Sequence, residues 1–508
     1  MVDDIKEGGG RRGWSWSTRG SQLNMMQLLG VTLLLWLSVI AKCSSVTISN
    51  PSGVSYVGVR NTTSKQDIFY GIPYAQPPST PIDDSPVSED CLYLSVCELP
   101  PLCRIGPVEL MNTWRRETKQ HYHEATVMVW IYGGGFLNGS TLWYPGEAIL
   151  NTAFQLGKPV IYVAMNYRLG IYGFPPGKQS EAAGALNLGL KDQRLALEWV
   201  KKNIGLFGGD ADRVMIFGES AGAMSVAYQM MYKDGKHGGV FRTALMESGA
   251  PSTYAALPAS YPPRQTAYNF IANATGSELQ SVQGEARSSY NSTEKILRHP
   301  PAPTGPSVPR SIPSAIGPTL SPGDPFLTRS PKETIRRGNF TQIPFVCGTN
   351  LDEGTIFTTN PETTEDVVAF LTAQLPGLTF GITNKTAVNQ LLKYYPAHPS
   401  AGAASIIGDL VFDAPRRDFL QVATKLGVSA WSYQWAQAGL DLPEFGAAHS
   451  FDLAFVFQQR WEGMTQSLID LSVAMIDYWI TLAYKLDPGA TANPNRAAWR
   501  NTALWESR

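Results

Sequence analysis

Short runs of apolar, β-favouring residues punctuate the chain, and loops rich in glycine and polar residues follow them. The run at 126–131 (TVMVWI) leads into three glycines after Tyr132, and the run at 214–217 (VMIF) ends at a Gly-Glu-Ser-Ala-Gly loop. Short apolar runs bounded by turn residues are typical of strands buried on both faces. The same pattern predicts further strands at residues 159–165, 343–347 and 431–435.

Segments with helical periodicity lie between and after these predicted strands. Residues 187–203 carry Leu190, Leu197 and Val200 among their apolar positions, and residues 221–231 and 466–486 are compatible with helices as well. Alternation of strand and helix predicts parallel pairing, because parallel strands need a crossover connection. We therefore expect an α/β fold, with a mostly parallel central sheet, helices on both faces and long insertions.

The first part of the chain has the character of a leader. Residues 28–41 form a largely apolar, uncharged run. Its length suits the core of a signal peptide and falls short of the roughly 20 residues that cross a bilayer. We predict a secretory leader at 1–43 and a single domain at 44–508, although a buried helix or an uncleaved anchor would give the same pattern. Within the domain, residues 97–124 and 300–325 are expected to be irregular.

Composition and charge limit the partners. Apolar residues make up 43% of the chain and charged residues 16%, with a formal net charge of −1. Nucleic acids and anionic membrane surfaces require concentrated basic charge, so this balance favours neutral substrates. Export would also expose six Asn-x-Ser/Thr sites to glycosylation, which begin at Asn61, Asn138, Asn273, Asn291, Asn339 and Asn384.

The cysteines fit disulfides better than a metal. Removal of the leader would take Cys43 and leave Cys91, Cys97, Cys103 and Cys347, which allow two disulfides in any of three pairings. Paired Cys-x2-Cys elements and clusters of Cys and His, as zinc sites require, do not occur in the sequence. We expect no metal centre.

The Gly-Glu-Ser-Ala-Gly loop at 218–222 has the Gly-x-Ser-x-Gly pattern of a nucleophile turn. In that turn the serine lies between a strand and a helix, and the flanking glycines let the backbone fold tightly while the hydroxyl stays exposed. The bare motif arises often by chance, but here a predicted strand precedes it and a predicted helix follows. We predict that Ser220 is a nucleophile; an ordinary glycine turn is the alternative.

A serine nucleophile requires a base and an orienting acid, which follow it in the order acid and then histidine in this type of fold. Of the six histidines, His449 is preferred because it lies in a small-residue loop before an apolar segment, whereas His398 lies between prolines. Glu353 and Asp352 both follow the predicted strand at 343–347. Glu353 is preferred because its longer side chain is followed by Gly354 in a turn, but the two are nearly equal candidates for the acid. Asp413 is a weaker one.

Negative charge that develops on a substrate carbonyl must be met by hydrogen-bond donors. The glycines at 133–135 follow a predicted strand and offer unobstructed backbone N–H groups, and the N–H of Ala221 is a further donor. We predict an oxyanion hole formed by Gly134, Gly135 and Ala221. An ordinary turn would also use such glycines; a phosphate-binding loop would need a Lys-Ser/Thr pair, which is absent here.

Taken together, six ordered motifs resemble the type-B carboxylesterase/lipase family, to which cholinesterases and many fungal lipases belong. The resemblance implies the α/β-hydrolase fold, with Ser220 as nucleophile, Glu353 rather than Asp352 as acid, and His449 as base. It also implies Gly134, Gly135 and Ala221 as oxyanion donors. The motifs are SEDCLYL at 88–94, YGGGF at 132–136, NYRLG at 166–170, FGGD at 207–210, GESAGA at 218–223 and GTNLDEGT at 348–355.

The sequence thus predicts a secreted carboxylic ester hydrolase that acts through an acyl-enzyme and needs no cofactor. Its partners would be small-molecule or lipid esters, with neither nucleic-acid binding nor stable membrane insertion. Only residues 79–87 separate the segment YGIPYAQPP at 70–78 from the motif SEDCLYL at 88–94. Members of the family usually carry a longer segment there that includes the lipase lid, so the short connection favours an esterase. A triacylglycerol lipase and a non-catalytic binding protein on the same fold are the alternatives.

Overall fold

The computed structural model of the protein describes residues 43–61, 66–75, 91–98, 125–275, 315–358, 361–372, 385–395, 398–459, 464–490 and 499. The apolar run of the predicted leader lies outside these residues, and the first strand begins at Cys43.

A single large sheet organises the described chain. Its order from edge to edge is β1-β2-β3-β4-β6-β5-β7-β8-β11-β12. The strands are β1 (Cys43–Ser49), β2 (Ser55–Asn61), β3 (Gln66–Pro73), β4 (Tyr93–Glu98), β5 (Ala125–Ile131), β6 (Val160–Met165), β7 (Gly209–Glu219), β8 (Thr243–Glu247), β11 (Phe345–Asn350) and β12 (Ala430–Trp435). The short strands β9 (Leu257–Pro258) and β10 (Thr319–Leu320) form a separate parallel pair.

Pairing changes direction within the sheet. Strands β1 to β4 pair antiparallel, and so does β4 with β6. From β6 onward, through β5, β7, β8, β11 and β12, all pairs are parallel. The carboxyl ends of β5, β7, β8 and β11 therefore meet at one edge, where ligand sites form in such sheets.

Helices connect the parallel strands. They are α1 (Glu147–Gln155), α2 (Gly170–Gly173), α3 (Gly177–Ala182), α4 (Leu188–Asn203), α5 (Ala221–Met231), α6 (Pro262–Thr275), α7 (Pro331–Arg336), α8 (Thr364–Thr372), α9 (Lys385–Leu392), α10 (Pro399–Ile407), α11 (Ala414–Lys425), α12 (Leu453–Val456) and α13 (Gln466–Lys485). Helices α4 and α5 contact each other and β7, while α1 and α13 contact each other and the sheet. The mostly parallel sheet and its helices confirm the predicted fold class.

A second apolar cluster lies beside the main core. It joins α8, α9 and α10 to a wide helical turn at Gly408–Asp413, with Val367, Leu371, Ile407 and Phe412 among its buried members. Wide turns of this kind, with hydrogen bonds five residues apart, are frequent at functional sites. This turn leads directly into α11.

The final long helix, α13, has a composition that fits either a core helix or a membrane span. Within the described residues α13 is the one helix long and apolar enough to span a membrane, and half of its most apolar window is buried inside the protein. Its buried side chains include Trp479, Ile480 and Leu482, which belong to the main core. This packing is typical of a core helix.

The segments expected to be irregular are described only in part. Residues 97 and 98 are the last two of β4, and 99–124 lie outside the described residues. Of 300–325, the described part begins at 315 and contains β10. Cys97 and Cys347 are buried thiols on β4 and β11, so neither takes part in the two disulfides that four cysteines would allow.

Candidate active site

Ser220 lies on a strained turn between β7 and α5. Its φ of 55° and ψ of −122° fall outside the conformations that a non-glycine residue ordinarily adopts. Its backbone N–H donates to the carbonyl of Glu247 on the neighbouring strand at 2.9 Å. The residue is half-buried. Strain of this kind persists only where surrounding contacts hold it, and it concentrates at functional sites.

The glycines on either side of Ser220 are required by close backbone contact. A Cβ on Gly218 would lie 2.4 Å from the carbonyl oxygen of Ile131, and one on Gly222 would lie 1.9 Å from the same oxygen. Real Cβ atoms do not approach this closely. The end of β5 therefore fits against the turn only because both positions lack a side chain.

The glycine loop after β5 lies against this turn. A Cβ on Gly133 would lie 2.9 Å from the Cβ of Ser220. Gly134 and Gly135 have φ values of 98° and 64°, and both are exposed. No acceptor in the described part of the chain takes the N–H of Gly134 or Gly135. The loop therefore offers unused donors beside Ser220.

The loop at residues 166–170 contacts the glycine loop and supports it. The N–H of Gly170 donates to the carbonyl of Phe136 at 2.8 Å. Tyr167 stacks on Tyr132 with ring centroids 4.6 Å apart, and its hydroxyl donates to the carbonyl of Tyr132 at 2.8 Å. Next in the chain, Arg168 forms two 2.7 Å hydrogen bonds with the buried carboxylate of Asp192 on α4. The NYRLG motif thus holds the glycine loop on the scaffold.

His449 and Glu353 form a buried pair, although they are far apart in the sequence. Nδ1 of His449 lies 2.6 Å from Oε2 of Glu353. The other carboxylate oxygen accepts the backbone N–H of Asn350 at 2.7 Å. Glu353 is 1% and His449 4% exposed, so little water competes for this contact. The imidazole orientation is therefore fixed by a carboxylate that is itself held in place.

The other two candidate acids lie elsewhere. Asp352 accepts the backbone N–H of Ala447 at 2.8 Å and so holds the loop before His449. Asp413 accepts the hydroxyl of Thr349 and forms an ion pair with Arg416. The structure brings only Glu353, of the three acids considered, to the imidazole.

Two aromatic rings flank the imidazole. The ring centroid of Phe412 lies 4.7 Å from that of His449, and the centroid of Phe357 lies 5.1 Å away. Phe412 belongs to the wide turn at Gly408–Asp413. The backbone at Gly354 lies close to α10, since a Cβ on Gly354 would lie 1.9 Å from the carbonyl oxygen of Ala404. The second apolar cluster thus shields the histidine from water.

A second carboxylate faces the opposite side of the imidazole. Nε2 of His449 lies 3.2 Å from Oε1 of Glu219, the residue before Ser220. The hydroxyl of Ser450 donates to the same oxygen at 2.5 Å. Burial raises the pKa of Glu219 to about 7, although His449 and Ser450 act in the opposite direction. Burial would lower the pKa of His449, but Glu219 and Glu353 outweigh it and raise this pKa to about 9.

Two further buried acids lie behind this group. Asp452 accepts hydrogen bonds from the side chains of Asn350 at 3.3 Å and Tyr433 at 3.2 Å, and Glu247 accepts one from Trp479 at 3.0 Å. Glu219, Glu247 and Asp452 are not among the site residues predicted from the sequence. A signal existed for Asp452, since an acid three residues after His449 enters an apolar segment, where an unpaired charge is costly.

The two other histidines with described positions, His237 and His398, make contacts that involve neither Ser220 nor Glu353 among those described. His237 packs against Phe241 at a centroid distance of 4.6 Å, and His398 is exposed at the start of α10. Within the described residues no group of three or more His, Cys, Asp or Glu side chains is suited to hold a metal ion. The described contacts thus place the glycine loop against Ser220, and the pair of His449 and Glu353 beside Glu219, the residue before that serine.

Comparisons with known proteins find similarity to one family, to proteins named as lipases and to the solved structure of EstA. Residues 79–507 match the family model described as the carboxylesterase family. Lipase 1 of Geotrichum candidum is 32% identical over 442 residues, which cover 80% of this chain and 71% of that protein. A secreted triacylglycerol lipase of Gibberella zeae is 31% identical over 523 residues, covering 91% of this chain and 86% of the relative. The crystal structure of EstA from Aspergillus niger matches with a TM-score of 0.74 at 25% identity, over 91% of this chain and 92% of EstA.

Proposed function

Because this chain belongs to the carboxylesterase family and is a serine ester hydrolase, we propose that Ser220, His449 and Glu353 are its nucleophile, general base and orienting acid. The observation that carries this proposal is the 2.6 Å contact between His449 and Glu353 in a buried site whose imidazole also reaches the residue preceding Ser220. The strained serine turn and the glycine loop support it.

The reaction proposed is a double displacement. Ser220 Oγ attacks the carbonyl carbon of the ester, and its proton passes to Nε2 of His449. The tetrahedral intermediate collapses as the bond to the alcohol oxygen breaks, and the imidazolium returns the proton to that oxygen. The acyl group is then bound to Ser220. A water molecule repeats the sequence, loses its proton to His449 and releases the acid, so that Ser220 regains its hydrogen.

Each step requires a defined charge at the imidazole. His449 must be neutral to accept the proton, with its remaining hydrogen on Nδ1 directed at Glu353. The imidazolium that forms is then stabilised by Glu353 and Glu219. Glu353 holds the imidazole through one carboxylate oxygen, while its other oxygen accepts the backbone N–H of Asn350.

The intermediate also needs donors for its oxyanion. We assign the backbone N–H groups of Gly134, Gly135 and Ala221 to this role, since the glycine loop lies against Ser220 and its N–H groups are unused in the described structure. Loss of one such donor typically costs about 3 kcal/mol of transition-state stabilisation. Neither a metal nor a cofactor enters the steps.

Two substrate classes are candidates. A carboxylesterase acting on small esters is the first candidate, and a triacylglycerol lipase is the second. The second is favoured by relatives named as lipases and by three apolar side chains at the glycine loop, Leu137, Leu142 and Trp143, which are 41%, 79% and 55% exposed. Secretion is proposed for both, from the leader and from relatives named as secreted.

One series of substrates tests both candidates. The purified chain is assayed on p-nitrophenyl esters from acetate to palmitate and on an emulsified triacylglycerol, with Ser220→Ala as the control. We expect hydrolysis by the parent chain and at least a ~10³-fold lower kcat in the variant. Short-chain preference without activation by emulsion supports the esterase, and the reverse supports the lipase. Full turnover by Ser220→Ala would overturn the assignment of the nucleophile.

A further inference from the structure

Four positions in a row cross the sheet at the level of the nucleophile. Glu219 on β7 is in register with Glu247 on β8, Glu247 with Gly348 on β11, and Gly348 with Tyr433 on β12. Paired positions of parallel strands direct their side chains to the same face. The two carboxylates and the phenol therefore share one face of the sheet, the face that carries α13.

The glycine in this row lets the phenol reach across β11. A Cβ on Gly348 would lie 1.9 Å from Cε1 of Tyr433, so the tyrosine ring occupies the space that a side chain would need. From there its hydroxyl donates to Asp452 at 3.2 Å. The ring also packs on Trp479 of α13, with centroids 5.2 Å apart. The row is thus joined to both the His449 loop and α13.

Glu247 is connected to the nucleophile by its backbone and to α13 by its side chain. Its carbonyl accepts the N–H of Ser220 at 2.9 Å, and its Oε1 accepts the indole N–H of Trp479 at 3.0 Å. Glu247 is fully buried and Trp479 is 1% exposed. Its Oε2 has no hydrogen-bond partner among the described residues. A buried carboxylate with one oxygen left unpaired is costly, whereas a carboxylic acid is much less so.

The charges around Glu247 favour the protonated form. Burial, together with Asp452 and Glu219, raises the pKa of Glu247 well above its usual range, and only the Trp479 hydrogen bond opposes this. Glu247 also adds to the raised pKa of Tyr433. His449, the base of the site, contributes to the pKa of Glu219 and Asp452 but is not among the groups that shift Glu247.

We propose that Glu247 is a positioning residue for the reaction proposed above. Its side chain is a neutral carboxylic acid that Trp479 clamps to α13, and its backbone carbonyl thereby holds the strained amide of Ser220. This goes beyond the three residues of the reaction and rests on that proposed function. It assigns α13 a part in positioning the nucleophile, although none of the proposed reacting groups lies on this helix.

The test compares Trp479→Phe, Glu247→Leu and Glu247→Gln with the parent chain. Phenylalanine keeps an aromatic ring but lacks the N–H, leucine lacks the acceptor, and glutamine retains the acceptor while resembling a protonated acid. We expect kcat for a p-nitrophenyl ester to fall about tenfold in the first two, with KM changed less than about twofold. Glutamine should recover most of the activity that leucine loses. Trp199→Phe is the matched control, since Trp199 lies on α4 and its ring contacts Tyr56 and Phe207.

Two readouts separate positioning from general destabilisation. Hydrogen exchange at the Ser220 amide should be at least about threefold faster in Trp479→Phe than in Trp199→Phe, and this holds even if no ester is hydrolysed. The acid limb of kcat/KM should be unmoved in Glu247→Gln. Equal exchange and equal kcat in the two Trp variants would overturn the clamp. If the acid limb of Glu247→Gln moved to lower pH, Glu247 would be charged in the parent chain and not a neutral acid, because removal of a negative charge makes His449 less basic.

Discussion

Asp352 and Glu353 are adjacent in the chain, yet their carboxylates hold the two sides of one loop. Glu353 contacts Nδ1 of His449 at 2.6 Å, and Asp352 accepts the N–H of Ala447, two residues before that histidine, at 2.8 Å. The loop is thus fixed by one acid through its backbone and by the other through its imidazole. The two carboxylates differ in role although the sequence alone hardly separates them.

This difference leads to a paired prediction. Glu353→Gln should lower kcat by about 10³–10⁴-fold, since a neutral amide neither fixes the productive tautomer of His449 nor stabilises its cation. Asp352→Asn keeps an acceptor for Ala447 and should change kcat by less than about fivefold. Steady-state kinetics on one ester, with circular dichroism as a check of folding, measure both. Equal losses in the two variants would contradict the assignment of the acid.

A second prediction concerns pH. His449 must lose its proton to act as base, and its pKa of about 9 is raised by Glu219 and Glu353. Activity should therefore increase as pH rises toward that value. In Glu219→Gln one negative charge next to the imidazole is absent, the pKa of His449 falls, and the acid limb of kcat/KM should move to lower pH by about one unit or more.

The control for that pH shift is Glu198→Gln, which removes the same charge from a half-exposed position paired with Arg194. Its pH profile should match that of the parent chain. A Glu219→Gln limb that stays in place, or moves to higher pH, would show that Glu219 does not set the basicity of His449.

The third prediction tests the close contact at the serine turn. Gly222→Ala places a Cβ 1.9 Å from the carbonyl oxygen of Ile131, so strand β5 or the turn must shift. We expect about 3 kcal/mol of lost stability in urea unfolding and a severe loss of activity. Gly205→Ala is the matched substitution, because a Cβ there meets nothing within 4 Å, and it should leave both quantities nearly unchanged.

The fourth prediction concerns the support of the glycine loop. Arg168→Met leaves the carboxylate of Asp192, which is 1% exposed, without its ion-pair partner. Breaking a buried pair in this way costs about 3–5 kcal/mol, and the loop it anchors should loosen, so Tm and kcat should both fall. Arg337→Met breaks an ion pair whose side chains are 60% and 47% exposed. A similar loss of Tm in that variant would argue against the proposed role of the buried pair.

The local pattern predicted the central part of the fold well. The strand expected at 126–131 is Ala125–Ile131, and the helix expected at 187–203 is Leu188–Asn203. Buried parallel strands and amphipathic helices are recognisable because burial fixes their periodicity. Strand β7 is longer than the expected 214–217, since it begins at Gly209 and pairs there with Ala125 across an irregularity. Such a register shift depends on the partner strand.

The site was predictable only where a motif marks it. Motifs and chain order point to Ser220, His449 and the glycine loop, whereas a firm choice between Asp352 and Glu353 needed either the family resemblance or coordinates. Glu219, Glu247 and Tyr433 come together through strand register. Register is set by pairing between distant segments, so a single sequence read along its length does not reveal that alignment.

The order of the parts along the chain has a consequence for synthesis. His449 and α13 both follow the last strand of the sheet, whereas Ser220 and its turn belong to β7. A nascent chain that has already built the serine turn still lacks the imidazole and the helix that clamps Glu247. Hydrolytic activity should therefore arise only late in translation, because an incomplete polypeptide contains the serine but does not yet contain the histidine that activates it.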